Sequence, residues 1–490
     1  MRVSIFATTG VLFALSLTGF GQQAAQPNPS DLADVRSQLT ETLRLLQQTR
    51  QELQDSQLQL KALRTEVDSI KATLAQPASP APASPQVDQL GEAQALTESR
   101  VEQIYQTKVE SGSNYRVKLS GLILFNAGMN RGVVDNQDVP MLALRVPPGQ
   151  SGGNVNATMR QTTFNLGVYG PDWLGARTSA DVQFDFFGGF AYTVDGNALG
   201  IMRLRTGHAQ LEWDKGSLMV GQDQPFISPL SPTSLATIGS QAFGYSGNLW
   251  TWTPQIVGMR KVGWSEHIDS TFQLGVLDPF SGEFPSDEFS RVAEAGERSR
   301  MPAIAARHAL NFTIAGRKFT LGSSGLYSRH NYGYGRTVNG YAATVDWMFP
   351  FTDKFELSGE FFRGRAIGGL WGGIGTSTVM DGPLSSAATH VLPVNAIGGW
   401  TQLKFKPAEK WEVNSAFGID NPYTADVHHY SATSGLYRPT LRNSTEMLNI
   451  MLRPRSNLVL SLEYRHLNTV GYTSHRYTAE NVNLGIGVHF

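Results

Sequence analysis

The sequence has no cysteine, so neither a disulfide framework nor thiolate chemistry is open to it, and the fold must be held by hydrogen bonds and packing alone. It has little charge of either sign in excess. Its 40 Lys and Arg against 41 Asp and Glu leave a formal net charge of −1, which excludes the basic footprint of a nucleic-acid binder. Beyond the first residues it also lacks any run of about 18 apolar residues, so no transmembrane helix is expected there. Mean hydropathy of −0.21 is too low for a helical membrane protein. A β-barrel in lipid escapes that exclusion, because every second residue of its wall faces water. What is plentiful is glycine, at 50 residues, and aromatic residues, at 10%. Both suit a chain of many strands and turns.

The first residues read as an export signal. Arg2 precedes the apolar stretches Val3–Phe6 and Val11–Leu15, and Gly19-Phe20-Gly21 offers small residues for cleavage near Gly21. Thr8, Thr9 and Gly10 break the apolar run, which is too short for a comfortable membrane anchor. A signal peptide is therefore expected over 1–21.

From Leu32 a seven-residue repeat runs through Leu39, Leu46, Leu53, Leu60, Val67 and Leu74. A second series, offset by three, holds Val35, Thr42, Thr49, Ser56, Leu63 and Ile70. This spacing predicts a coiled coil over 30–76. Leucine in one series and β-branched residues in the other lean towards three or more strands, although Thr42, Thr49 and Ser56 make the middle of the seam polar. A single amphipathic helix lying on another domain is the alternative. Residues 77–86 form a Pro/Ala linker, a semi-rigid extended spacer. Over 87–112, Leu90, Ala93, Thr97, Val101 and Ile104 stripe a short second helical segment.

Over 113–490 the pattern changes to alternation, and the fold class expected is an all-β transmembrane barrel of about sixteen antiparallel strands. The predicted strands are 115–130, 157–170, 176–190, 201–214, 217–224, 254–265, 269–279, 302–316, 318–330, 336–349, 354–366, 394–406, 410–419, 440–453, 457–468 and 476–490. Short connections such as Asp214-Lys215-Gly216 and Pro454-Arg455-Ser456 alternate with long ones such as 225–253 and 367–393. That is the habit of an outer-membrane barrel, with tight periplasmic turns and long external loops. Val482, Leu484, Ile486, Val488 and Phe490 share the apolar face of the last strand, and Phe490 is the expected barrel-insertion signal. Trp173, Trp213, Trp264, Trp347 and Trp411 all fall near predicted short turns, as an interfacial girdle requires. A soluble all-β protein such as a propeller explains none of these features.

Alternation places charged residues of both signs on the lumen side: Arg116, Lys118, Asp181, Asp185, Arg307, Glu356, Glu360, Lys404, Glu463 and Arg465. Arg203 and Arg205 lie near Gly207, which can shift the register, so their side stays undecided. Each such residue, taken singly, is more often a solvated wall position than a binding site. From Gln224 to Thr253 there is no charged residue, whereas Pro225, Phe226, Phe243, Tyr245, Trp250 and Trp252 make the stretch apolar. A long loop of this composition packs rather than waves in solvent, either inside the barrel or on a neighbouring subunit. His428, His429 and His475 offer no recognisable catalytic spacing. Asp135, Asn136 and Asp138 read as an acidic turn more readily than as a Ca²⁺ loop.

Signal peptide, heptad stalk, Pro/Ala linker, sixteen strands and Phe490 together resemble the trimeric porins with an N-terminal periplasmic coiled coil, the DcaP-like group, and more distantly the phosphate-selective porins. Arg203-Leu204-Arg205 and Gly221-Gln222 look like the arginine-bearing strand and the Gly-Gln that precede the constriction loop of such porins. The resemblance implies a homotrimer that passes small anions, narrowed by the loop after the fifth strand. The absence of Arg and Lys from 224–253 departs from an anion-binding constriction loop.

The function expected is an outer-membrane porin for small hydrophilic solutes, anions or carboxylates among them, with no catalytic group, cofactor or metal. Its expected partners are outer-membrane lipid, the barrel-assembly machinery and a periplasmic or cell-wall partner of the stalk. The alternatives are an envelope tether or adhesin that uses the barrel as anchor and, further off, an outer-membrane barrel enzyme.

Overall fold

The structure is a computed structural model and describes residues 115–190, 200–283, 291–430 and 440–490, all within the unit Glu92–Phe490. The expected signal peptide (1–21), coiled coil (30–76), linker (77–86) and second helical segment (87–112) lie outside the described residues.

Extended segments satisfy their backbone only by pairing, and here every wall strand has two neighbours. The strands are β1 (Arg116–Arg131), β2 (Gly153–Thr158 and Thr163–Tyr169), β3 (Arg177–Asp185), β4 (Arg203–Trp213), β5 (Gly216–Asp223), β6 (Thr253–Ser265), β7 (Ile268–Leu277) and β8 (Ala303–Ile314). There follow β9 (Arg317–Asn331), β10 (Thr337–Pro350), β11 (Phe355–Arg365), β12 (Asn395–Ala408), β13 (Trp411–Pro422), β14 (Thr440–Arg455), β15 (Leu458–Gly471) and β16 (Arg476–His489). Each pairs antiparallel with the next, and β16 returns to β1 in the register Leu122↔His489 through Arg131↔Glu480. Closure leaves no free edge, the condition under which a sheet can sit in lipid.

Sidedness is inverted relative to a soluble protein. Val117, Leu119, Ile123 and Phe125 of β1, and Val482, Leu484, Ile486 and Val488 of β16, are exposed on the outside. Asn126, Asn449, Glu463 and Asn483 are buried on the inside. Trp173, Trp213, Trp264 and Trp411 are exposed beside the short turns. A phenylalanine belt accompanies them: Phe312 stacks on Phe319 at 5.3 Å, and Phe355 on Phe405 at 4.6 Å.

Several boundaries differ from the sequence expectation. The second strand starts earlier, at Gly153, and is interrupted between Thr158 and Thr163, where Gln161 and Thr162 turn into the barrel. The third stops at Asp185 rather than 190, because Gly188 and Gly189 (φ 119°) leave the ladder. Two long connections carry small hairpins of their own, Val133–Val134 with Ala143–Leu144 and Thr378–Met380 with Val391–Pro393.

The β16–β1 seam is closed by Phe490. Its backbone exchanges hydrogen bonds with Gly121, N to O at 3.2 Å and O from N at 3.1 Å, and its ring lies 5.7 Å from that of Phe164. A Cβ on Gly121 would fall 2.3 Å from the Thr163 carbonyl oxygen and 2.7 Å from the Phe490 ring, so glycine makes room for the aromatic. Phe490→Ala is expected to lower the yield of folded, heat-modifiable barrel. The cost should fall below the about 3–5 kcal/mol of a fully buried Phe→Ala, since the ring is partly exposed. Equal folded yield on semi-native gels would remove Phe490 from the closure.

Candidate pore and the segment that fills it

The uncharged stretch between β5 and β6 enters the barrel. It carries no side-chain charge to solvate, so its burial costs only its backbone polar groups, and those are met by the wall. Asn126 Nδ2 donates to the Leu235 carbonyl (3.0 Å), Gln161 Nε2 to Ala236 (3.0 Å), Thr344 Oγ1 to Ile227 (2.7 Å) and Asn449 Nδ2 to Thr233 (2.7 Å). The Thr233 N–H in turn donates to Gln402 Oε1 at 2.7 Å, and Asn443 Nδ2 reaches the Tyr245 carbonyl at 2.9 Å. Strands from β1 to β14 thus share in pinning one segment.

Its apolar side chains need space, and the wall supplies it through small inward residues. Phe226, Ile227 and Leu249 pack with Ala303, Ala305, Ala342 and Ala396 around Phe362. Backbones touch where glycine permits: a Cβ on Gly247 (φ 97°) would lie 2.2 Å from the Gly399 carbonyl oxygen. A second inward stretch, 366–377, meets the first through a ring cluster. Tyr245 stacks on Trp371 at 4.5 Å, and Trp250 lies edge-on to both Trp371 (4.7 Å) and Trp252 (5.0 Å). Phe243, Tyr245 and Trp371 hold left-handed φ of 64°, 62° and 64°. Conformations costing on the order of 1–3 kcal/mol each persist only where packing over-determines them.

The charged residues sort into two groups. On the β10–β16 side most are sealed beneath the segment, whereas Lys404 and Glu356, nearer the short turns, keep 19% and 25% of their side chains exposed. Glu463 and Arg465, 1% and 2% exposed at the side chain, pair at 2.6 Å, and Arg465 Nη2 donates to Ser234 Oγ (2.9 Å) and Thr237 Oγ1 (3.0 Å). Glu360 is buried and accepts from Ser228 Oγ at 2.6 Å. Next to it, Asp346 pairs with Arg307 at 2.7 Å. On the β3–β6 side the groups remain partly open. Asp181 and Asp223, each about one-third exposed, flank His208 at 3.0 and 3.5 Å.

Arg203 and Arg205 both point inward. The register slips between Gln183 and Phe184 opposite them, and the extra residue of this bulge brings two arginines spaced by two onto one carboxylate. Asp185, fully buried, accepts from Arg203 Nη2 (2.7 Å) and Arg205 Nη1 (3.1 Å). Arg205 also donates to the Ile238 carbonyl at 2.7 Å, and Arg203 to that of Gly239. Both guanidinium groups lie over Trp252, at 4.7 and 4.9 Å.

Of the other expected lumen residues, Arg116 and Lys118 sit inward and exposed at the short-turn end of β1. Lys404 pairs with Glu356 at 3.3 Å. Sequence reasoning missed Arg160, which lies over the rings of Phe187 (4.3 Å) and Phe190 (4.2 Å) and binds the Asp138 carboxylate. It missed His208 and Asp223 as well. The signal available was their alternation with Ala209 and Val220 across the β4–β5 hairpin.

The acidic loop after β1 is structural. Asp135 Oδ1 accepts from the N–H of Met141 and Leu142, both at 2.9 Å, and Asn136 Oδ1 from Asp138 N–H at 3.0 Å. Burial raises the Asp135 carboxyl above the usual range, against the pull of those backbone donors. His428 Nε2 lies 2.8 Å from the Tyr472 carbonyl and His475 Nδ1 3.0 Å from Thr473 Oγ1. Neither contact is with a carboxylate.

Among solved structures, the outer membrane channel DcaP of Acinetobacter baumannii matches with a TM-score of 0.57 at 15% identity, covering 78% of this chain and 99% of that one. An anion-selective porin from Comamonas acidovorans matches at 0.48 and 12% identity, over 77% of this chain and all of that one. No family model and no curated protein matches the sequence. The chain shares the fold of the DcaP channel.

Proposed function

We propose that the chain is an outer-membrane porin through which small hydrophilic solutes diffuse. The carrying observation is the asymmetric interior: one segment seals the β10–β16 wall, and partly exposed groups of both charges stay along β3–β6. A barrel that served only as an anchor would need no such open flank, and a diffusion pathway needs little else. Short turns face the periplasm and long loops the exterior. The heptad series from Leu32 to Leu74 supports a homotrimer with a periplasmic stalk. Outer-membrane lipid and the barrel-assembly machinery are its partners in the membrane, and the stalk takes a periplasmic or cell-wall partner.

The segment restricts size, and the wall sets charge preference. Arg203 and Arg205 are half-neutralised by Asp185, and His208 faces two carboxylates, so selectivity is mild. Asp185→Asn should free one guanidinium charge and move the reversal potential in a KCl gradient towards anions. Arg116→Gln with Lys118→Gln should move it towards cations. No shift in either would place ion selection elsewhere.

Liposome swelling tests the proposal itself. Proteoliposomes should swell in small sugars and carboxylates, at rates that fall steeply with solute size. Folded protein that admits none of them would contradict it.

A further inference from the structure

The outer face of β11–β14 carries a groove of about 590 Å³. Its floor is Gly399, in one register row with Phe361 and Ile419. The wall itself requires that glycine, since a Cβ would lie 2.5 Å from the Glu360 carbonyl oxygen; the groove is the consequence. Phe417 and Thr401 border it towards the short-turn end.

The next row towards the long loops runs Arg363, Ile397, Asn421, with Arg442 following on β14. Both arginines are exposed. Among the described residues neither has a carboxylate partner, and the Arg363 guanidinium lies 5.4 Å over the Tyr423 ring. Cations on a lipid-facing wall are costly at the midplane and tolerated near the interface. Their place near the long-loop ends therefore fits the headgroup level. Three inter-strand steps of about 4.8 Å put the two arginines about 14 Å apart, too far to share one phosphate.

We propose that this groove binds one phosphorylated glycolipid of the outer leaflet. An acyl chain lies along Phe361, Gly399 and Ile419, and two headgroup phosphates meet Arg363 and Arg442. The assignment rests on the porin reading for its orientation in the membrane. Charge complementarity selects the occupant: two guanidinium groups without a carboxylate partner among the described residues, above a trough of Phe361, Gly399 and Ile419, match an anionic headgroup above an acyl chain.

The test uses the full-length protein in detergent, delipidated and titrated with bis-phosphorylated lipid A, followed by native mass spectrometry. Parallel titrations use the monophosphoryl form and inorganic phosphate. Arg363→Gln with Arg442→Gln should weaken binding of the bis-phosphorylated lipid by about tenfold. Thr401→Trp, which narrows the trough, should weaken both lipids, and conductance should equal that of the unmodified protein in each variant. Unchanged lipid binding in the arginine variant overturns the proposal. Competition by inorganic phosphate would reduce the site to a free-phosphate site and overturn the lipid assignment. A changed oligomeric state in Thr401→Trp would show that a second copy covers this face, which also overturns it. Lipid bound by a protein that conducts nothing would sink the porin reading and leave the lipid site standing.

Discussion

Replacing residues 229–248 with a short Gly/Ser link should raise single-channel conductance several-fold while the barrel still folds. The removed stretch fills the interior, and its contacts with the wall run from Asn126 through Asn449. The sixteen-strand ladder does not depend on it, because each wall strand is paired by its neighbours. The stretch has no charge, so its loss should widen the path with little change in reversal potential. The new risk is exposure of the inward face that it covered, with Leu124, Ala416, Met447 and Met451 among its residues. A folded variant with the same conductance would mean that the narrowest point lies elsewhere. A large shift in ion preference would mean that the segment, rather than the wall, selects charge.

Arg465→Met should be the most destabilising single substitution in the interior. It removes the partner of a Glu463 carboxylate that is 1% exposed, and it cuts the two bonds to Ser234 and Thr237. Stranding one member of a buried ion pair costs about 3–5 kcal/mol. The segment should loosen at the same time, so the temperature at which the barrel unfolds on semi-native gels falls and current noise rises. Glu463→Gln with Arg465→Met, which strands no charge, should recover much of that stability. Equal loss in the single and double variants would show that the hydroxyl contacts, and not the ion pair, carry the effect.

Much of the wall was legible because a barrel strand is a local pattern. The alternation through Val482–Phe490, the tight turn at Asp214-Lys215-Gly216 and the tryptophans beside short turns each lie within a few residues, and the sixteen strands follow from them. The packed nature of the 224–253 stretch was legible for the same reason, since its lack of charge is visible in one line of sequence. Where it packs was not. That depends on small inward residues far apart in the chain, such as Ala303, Ala342 and Ala396, which as single alanines look like any wall position. The break in β2 and the bulge that turns both Arg203 and Arg205 onto Asp185 escaped for a related reason. Each is fixed by a partner across the barrel rather than by its own neighbours. Alternation also could not separate a lumen residue that meets water, such as Asp181, from one sealed under the segment, such as Glu360.

The lack of cysteine makes the central claim directly measurable, since a single introduced thiol has no background. The claim is that the open path runs along β3–β6 and that the opposite wall is sealed. Gln183→Cys stands on the open flank, and Ser461→Cys, nearly isosteric and 2% exposed, on the sealed one. A charged methanethiosulfonate reagent is added during planar-bilayer recording. The structure predicts that Gln183→Cys loses a fixed fraction of its conductance within minutes and that Ser461→Cys is unaffected. Block of Ser461→Cys with no effect at Gln183→Cys would contradict it.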